Sequence, residues 1–131
     1  MMDLSKFVGI PFADFGRSYA GCDCAGLVLL YFKDALNKNL DNYVDYVNSD
    51  DRQNSVRIMT YFHGKNFLRI RPEDRQLGDI IVFQILGAAT HVGIFIGENK
   101  ALHTQPGIDS HIIPLVGMWG RRVQSYWRPN E

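Results

Sequence analysis

The chain has 131 residues and carries 14 basic and 14 acidic side chains. That length suits one domain with a real hydrophobic core, and the charge balance excludes a bulk field that would draw in nucleic acid or an anionic membrane. The longest apolar run is far short of a membrane span, and the first residues lack the basic segment and apolar core of a signal peptide, so synthesis in the cytoplasm without an export signal is expected.

In chain order, residues 3–8 suit a short helix. Residues 9–21 read as an irregular loop punctuated by Gly9, Pro11, Gly16 and Gly21, with aromatic side chains that must pack somewhere. A buried helix is predicted over residues 23–37. Asp23 is its N-cap, because a carboxylate there can accept a backbone N–H from the first turn. Leu27, Val28, Tyr31, Phe32 and Ala35 recur at helical spacing, and Leu29 and Leu30 widen that face nearly all round. A second helix is predicted over residues 50–62. From residue 66 the pattern turns to short β-type runs: 67–71, 79–85, 91–96, 101–104, 110–115 and 122–127, with a hairpin turn at 97–100. Helix first and antiparallel strands second is an α+β order, with a sheet of about five or six strands. No repeat or linker divides the chain, so residues 1–131 are read as a single domain.

Cys24 falls in the first turn of the central helix, where unpaired N–H groups and the helix dipole favour a thiolate. Cys22 lies one residue before the cap. A disulfide across a single residue would be strained, so both are read as thiols. Thiol catalysis also needs an imidazole and a group to orient it. His91 opens a strand and shares a face with Gly93, which leaves that face open to another element; the Cys24 helix, thinned at Gly26, is the obvious candidate. His103 lies on the next strand and could reach His91. His63 and His111 have no comparable setting. The two histidines share a face only if cross-strand partners have an even sum, so the intervening turn should hold an odd number of residues or a bulge. Residue statistics pull the other way: a helical cysteine is more often a core residue than a nucleophile. Cys24, His91 and His103 lack the close ligand pairs of a zinc site, so neither metal nor cofactor is expected. Arg121 and Arg122 read as a solvated strand end. Spacing alone leaves catalysis and simple packing both open.

Four segments in this order resemble the NlpC-type cysteine peptidases, a papain-like family best known as cell-wall endopeptidases: Asp23-Cys24-Ala25-Gly26-Leu27-Val28, Leu77-Gly78-Asp79-Ile80-Ile81-Val82-Phe83, His91-Val92-Gly93-Ile94-Phe95-Ile96-Gly97 and Ala101-Leu102-His103. Gly16-Arg17 and Tyr126-Trp127-Arg128-Pro129 extend the match over nearly the whole chain. The loop Ile10-Pro11-Phe12 to Gly16-Arg17 looks most like the phage and prophage branch, associated with tail assembly or tail-tip wall cleavage. The resemblance implies a papain-like domain, with Cys24 as nucleophile, His91 as general base and His103 as the orienting third residue. It implies hydrolysis of the bond between D-glutamate and diaminopimelate or lysine in a peptidoglycan stem peptide. Peptidoglycan peptide is then the partner, phage tail proteins are further candidates, and the virion tail is a candidate location. Many relatives carry a tyrosine before the nucleophile, near the oxyanion site. Here that place falls to Phe12, which leaves Tyr19, Asp23 and the backbone as oxyanion or substrate candidates, with Arg17 a candidate partner for a substrate carboxylate. The competing expectations are a catalytically silent tail module, which the missing tyrosine favours, and an amidase or acyltransferase acting on something other than cell wall.

Overall fold

The computed structural model describes residues 3–40, 66–85 and 88–130. The helix expected over 50–62 lies outside them. The expected short N-terminal helix is a single 3₁₀ turn, Ser5–Phe7, which buries Phe7. Two-residue strands β1 (Arg17–Ser18) and β2 (Gly21–Cys22) then form a small hairpin that leads directly into helix α1 (Cys24–Ala35). Asp23 caps α1 as expected, its side chain accepting from the Gly26 N–H. The helix stops two residues earlier than its periodicity suggests. Asn37 takes a left-handed backbone (φ 53°), and the Lys38 N–H turns back to the Phe32 carbonyl.

Six further strands form one antiparallel sheet: β3 (Phe67–Ile70), β4 (Ile80–Ile85), β5 (Ala88–Phe95), β6 (Lys100–Gln105), β7 (Ile108–Pro114) and β8 (Val123–Pro129). Their spatial order is β3-β8-β4-β5-β6-β7, which fits the expected α+β architecture. Two of the matched segments meet: Arg128 donates to both Asp79 carboxylate oxygens, at 2.7 and 2.8 Å, and so ties β8 to the turn before β4. A six-residue helix, α2 (Gly117–Arg122), stands between β7 and β8, so Arg121 and Arg122 form its last turn rather than a strand end.

Alternation splits the sheet into two apolar faces. Ile80, Val82, Val92, Ile94, Leu102 and Trp127 pack under Leu27, Val28, Tyr31 and Phe32 of α1. Ile81, Phe83, Phe95, Ala101, Ile113 and Tyr126 build a second core, against which Trp119 of α2 packs. Ile96 still pairs through its N–H with the Lys100 carbonyl, so the β5–β6 turn proper holds three residues, Gly97, Glu98 and Asn99, all with positive φ. Ile94 therefore pairs with Leu102 and Phe95 with Ala101, the even sum that the same-face expectation required. Three register shifts fall between Val82 and Phe83, between Phe83 and Gln84, and between His103 and Gln105. All three bulges lie at the end of the sheet that carries His91 and His103, where an extra residue re-aims a side chain.

Candidate functional site

The first turn of α1 is held by one carboxylate. Asp23 is fully buried, and it accepts from the Gly26 N–H at 2.8 Å, the Phe15 N–H at 2.8 Å and the Arg17 guanidinium at 2.8 Å. Arg17 also donates to the Gly16 carbonyl at 2.9 Å. Such charge-assisted bonds are the strong kind, and here they join the loop to the helix N-terminus. Arg17 was a candidate partner for a substrate carboxylate; in this structure its guanidinium pairs with Asp23, at 19% side-chain exposure. Asp23 itself is spent as the cap, not turned to a substrate. Tyr19 is also placed elsewhere: its hydroxyl donates to Asp34, in the last turn of α1, about 15 Å along the helix from Cys24 at 1.5 Å per residue. In this structure its hydroxyl is therefore held at the other end of α1 from the thiol. Phe12 does lie beside the junction, its backbone bridged to Cys22.

Gly26 serves a different contact from the one expected. A Cβ there would sit 2.0 Å from the Gly16 carbonyl oxygen, so the missing side chain admits the loop rather than the sheet. Gly93 differs in the same way. Its added Cβ would meet the Leu102 carbonyl oxygen at 3.0 Å, Phe83 Cε2 at 3.1 Å and His103 Cβ at 3.3 Å. Helix α1 instead covers the Val92–Ile94 face of β5, and the space at Gly93 lets Phe83 and His103 close in beside His91.

Cys24 is the first residue of α1, and its sulfur lies against backbone N–H groups of Val92 and Ala25. The thiol thus abuts β5 one residue from His91. Both cysteines are free and buried. The helix N-terminus was expected to favour a thiolate at Cys24. Burial outweighs it and, with help from the neighbouring Asp23 charge, pushes the thiol up to about 12. Cys22 is pushed up to about 12 for the same two reasons.

His91 and His103 do share a face. His91 Nε2 and His103 Nδ1 are 2.8 Å apart, and the rings meet edge to face. Burial first, then the charges of Arg122 and His111, lower His91 to about 3. Burial first, then His91 and His111, lower His103 to about 2. Both imidazoles therefore rest neutral. Two participants escaped the sequence reading. His111, opposite His103 on β7, places its Nε2 3.2 Å from His103 Nε2 and its Nδ1 2.8 Å from the Asp109 carbonyl oxygen. Trp119 of α2 packs against His91 at a tilt and against His103 and Phe83 edge to face, with ring centroids 5.7, 4.6 and 5.4 Å apart, and Arg122 lies over its indole. Among the described residues no group of three metal-ligating side chains converges on one point. A buried thiol at a helix start, against the strand one residue from an imidazole that is itself held by another imidazole, is an arrangement suited to nucleophilic acyl transfer.

A family model described as the NlpC/P60 family matches residues 9–128. Among solved structures, the NlpC/p60 domain of the peptidoglycan hydrolase SagA is similar with a TM-score of 0.65 at 17% identity, over 93% of this chain and 89% of that one. An NlpC/P60 family protein from Bacillus cereus matches with a TM-score of 0.60 at 24% identity, over 92% of this chain and 35% of that one. The peptidoglycan hydrolase RipB from Mycobacterium tuberculosis matches with a TM-score of 0.60 at 17% identity, over 92% of this chain and 57% of that one. This chain thus spans most of the SagA domain but about a third of the Bacillus protein and little over half of RipB. A comparison with curated protein sequences finds no match.

Proposed function

The chain belongs to the NlpC/P60 family, and on that footing we propose that it is a cysteine peptidase that hydrolyses an amide bond in the peptide stems of peptidoglycan. The observation that carries this reading is the Cys24 thiol at the start of α1, against β5 beside His91, with His91 Nε2 held by His103. Solved structures that share the fold include two peptidoglycan hydrolases, which supports the cell wall as substrate. In this reading the thiol proton passes to His91 as the sulfur attacks the carbonyl carbon. The Gly26 N–H is spent on the Asp23 side chain and the Leu27 N–H on the Asp23 carbonyl. The oxyanion is then held by the backbone N–H at the helix start that neither of these contacts nor the sulfur engages, that of Cys24. His91 then returns the proton to the leaving amine, and water releases the acyl group from the sulfur.

The bond assigned by the family resemblance joins the side-chain carboxyl of D-glutamate to diaminopimelate or lysine. The likeness of residues 10–17 to phage and prophage members supports a place in a phage tail. A second reading, a tail module without turnover, is favoured by one observation: Phe12 has no hydroxyl, and that of Tyr19 is committed to Asp34. Incubation with purified peptidoglycan, with released fragments identified by mass spectrometry, separates the two. Wild type and Cys22→Ser should free fragments with a new diaminopimelate or lysine amine, and Cys24→Ser should free none. Intact wall after exposure to wild-type protein would leave the silent module.

A further inference from the structure

We propose that His111 is a positioning residue that fixes the tautomer of His91 through His103, so that the bare nitrogen of His91 is Nδ1. The argument needs only the three contacts and the donor rules of a neutral imidazole, in which one nitrogen donates and the other accepts. A carbonyl oxygen can only accept. The 2.8 Å contact to the Asp109 carbonyl therefore puts the His111 proton on Nδ1 and leaves Nε2 bare. The 3.2 Å contact then requires His103 to donate from Nε2, which leaves its Nδ1 bare. The 2.8 Å contact in turn requires His91 to donate from Nε2. One backbone carbonyl thus sets the direction of three protons, and the lone pair of His91 is confined to Nδ1, the nitrogen not spent on His103.

A histidine pair alone would not do this. Without His111, the His91–His103 bond is satisfied equally well with the proton on either facing nitrogen, and half of those arrangements place a proton where the base needs a lone pair. Among the described residues, the other rings packed on His103 offer no second acceptor for its Nε2: Phe83 carries no polar atom, and the Trp119 indole N–H can only donate. His111 therefore acts on the reaction without touching the reacting atoms. This inference rests on the peptidase reading for its catalytic consequence, but not for its structural content.

The test combines histidine ¹⁵N NMR with kinetics on wild-type, His111→Phe and His111→Gln protein at about pH 8, above the ordinary imidazole range. Phe keeps the ring and removes the acceptor. Gln places a carbonyl oxygen about where Nε2 stood and restores it. In wild type and His111→Gln, His91 and His103 should both read as protonated on Nε2 and bare on Nδ1. In His111→Phe both should drift to mixed tautomers, with kcat about tenfold lower and KM within twofold, a loss on the scale of one hydrogen bond. A proton on His91 Nδ1 in wild type would overturn the proposal, as would unchanged tautomers or kcat in His111→Phe. If the wild type releases no wall fragment, the peptidase reading fails, and the NMR spectra still decide the tautomer.

Discussion

Alanine at Gly26 tests the loop–helix junction with a change whose sign is unusual. In an ordinary helix interior, Gly→Ala stabilises by roughly 1 kcal/mol, because glycine gives up more backbone freedom on folding. At residue 26 the new methyl would sit 2.0 Å from the Gly16 carbonyl oxygen, and real contacts of this kind stay beyond 3.0 Å, so about 1 Å of movement is needed. The oxygen cannot simply retreat. It accepts from Arg17, and a Cβ on Gly16 itself would be only 2.4 Å from the Gly21 oxygen, so three stretches of backbone are already in contact. Overpacking of this kind costs roughly 1–3 kcal/mol, and a broken charge-assisted bond adds about 1.5–3. Set against the propensity gain, the net loss is about 1.5–5 kcal/mol. Urea unfolding of wild type and Gly26→Ala reads it directly. With m near 2 kcal/mol/M, the midpoint should fall by roughly 0.8–2.5 M at unchanged slope. A midpoint that rises would mean that α1 does not press on the Gly16 loop, and the account of this junction would be wrong.

Arg17→Met should lower stability by about 3 kcal/mol, the scale of a buried ion pair that loses one partner, and Asp23→Ala by about 3–5. The double variant should cost clearly less than the sum, and a rise in KM without loss of stability in Arg17→Met would restore that arginine to the substrate. Acid should weaken the fold through the histidine relay. His91 and His103 are lowered in the folded state to about 3 and about 2, so the unfolded chain takes up their protons first, near the ordinary value of about 6.5. Their contribution is complete above about pH 6.5 and is lost as pH falls toward 3, at up to about 1.4 kcal/mol per pH unit for each ring. Stability measured from pH 7 to 4 should therefore fall more steeply in wild type than in His91→Phe/His103→Leu. Equal slopes would show that the rings are not buried neutral.

The helix and the strands were legible because their patterns are long and consistent. Leu27, Val28, Tyr31 and Phe32 are all buried as the helical spacing required. The even cross-strand sum at 94 and 102 followed from requiring two histidines on one face. Short elements were not legible. Helix α2 is six residues with glycines at 117 and 120 and no side-chain cap, so nothing in its sequence competes with a strand assignment. His111 was hidden by a bulge. The tight turn at Pro106-Gly107 pairs Gln105 with Ile108, and that register, continued, would set His103 opposite Ser110 and turn His111 to the other face. The shift between His103 and Gln105 moves the pairing by one, so that His103 faces His111 and Ser110 turns inward, its hydroxyl donating to the Phe7 carbonyl. Periodicity cannot locate a single extra residue of that kind.

The resting state of Cys24 shows why a helix N-terminus is a weak predictor by itself. The dipole favours a thiolate there by roughly 0.3–1 kcal/mol, up to about 2 in partly buried sites. Displacing the thiol from 9.0 to about 12 is worth about 4 kcal/mol, and the first cause of that displacement is burial. Burial wins, and the same burial holds His91 neutral from the opposite direction. Neither group ionises readily alone. Passing the proton from one to the other creates both charges together, and their mutual attraction is stronger in the low-dielectric interior than in water. The chemistry therefore depends less on a preformed thiolate than on a base whose lone pair is already in place when the proton leaves. That is the requirement the relay meets in sequence: the Asp109 carbonyl accepts from His111, and His111 and His103 each donate from one nitrogen and accept at the other.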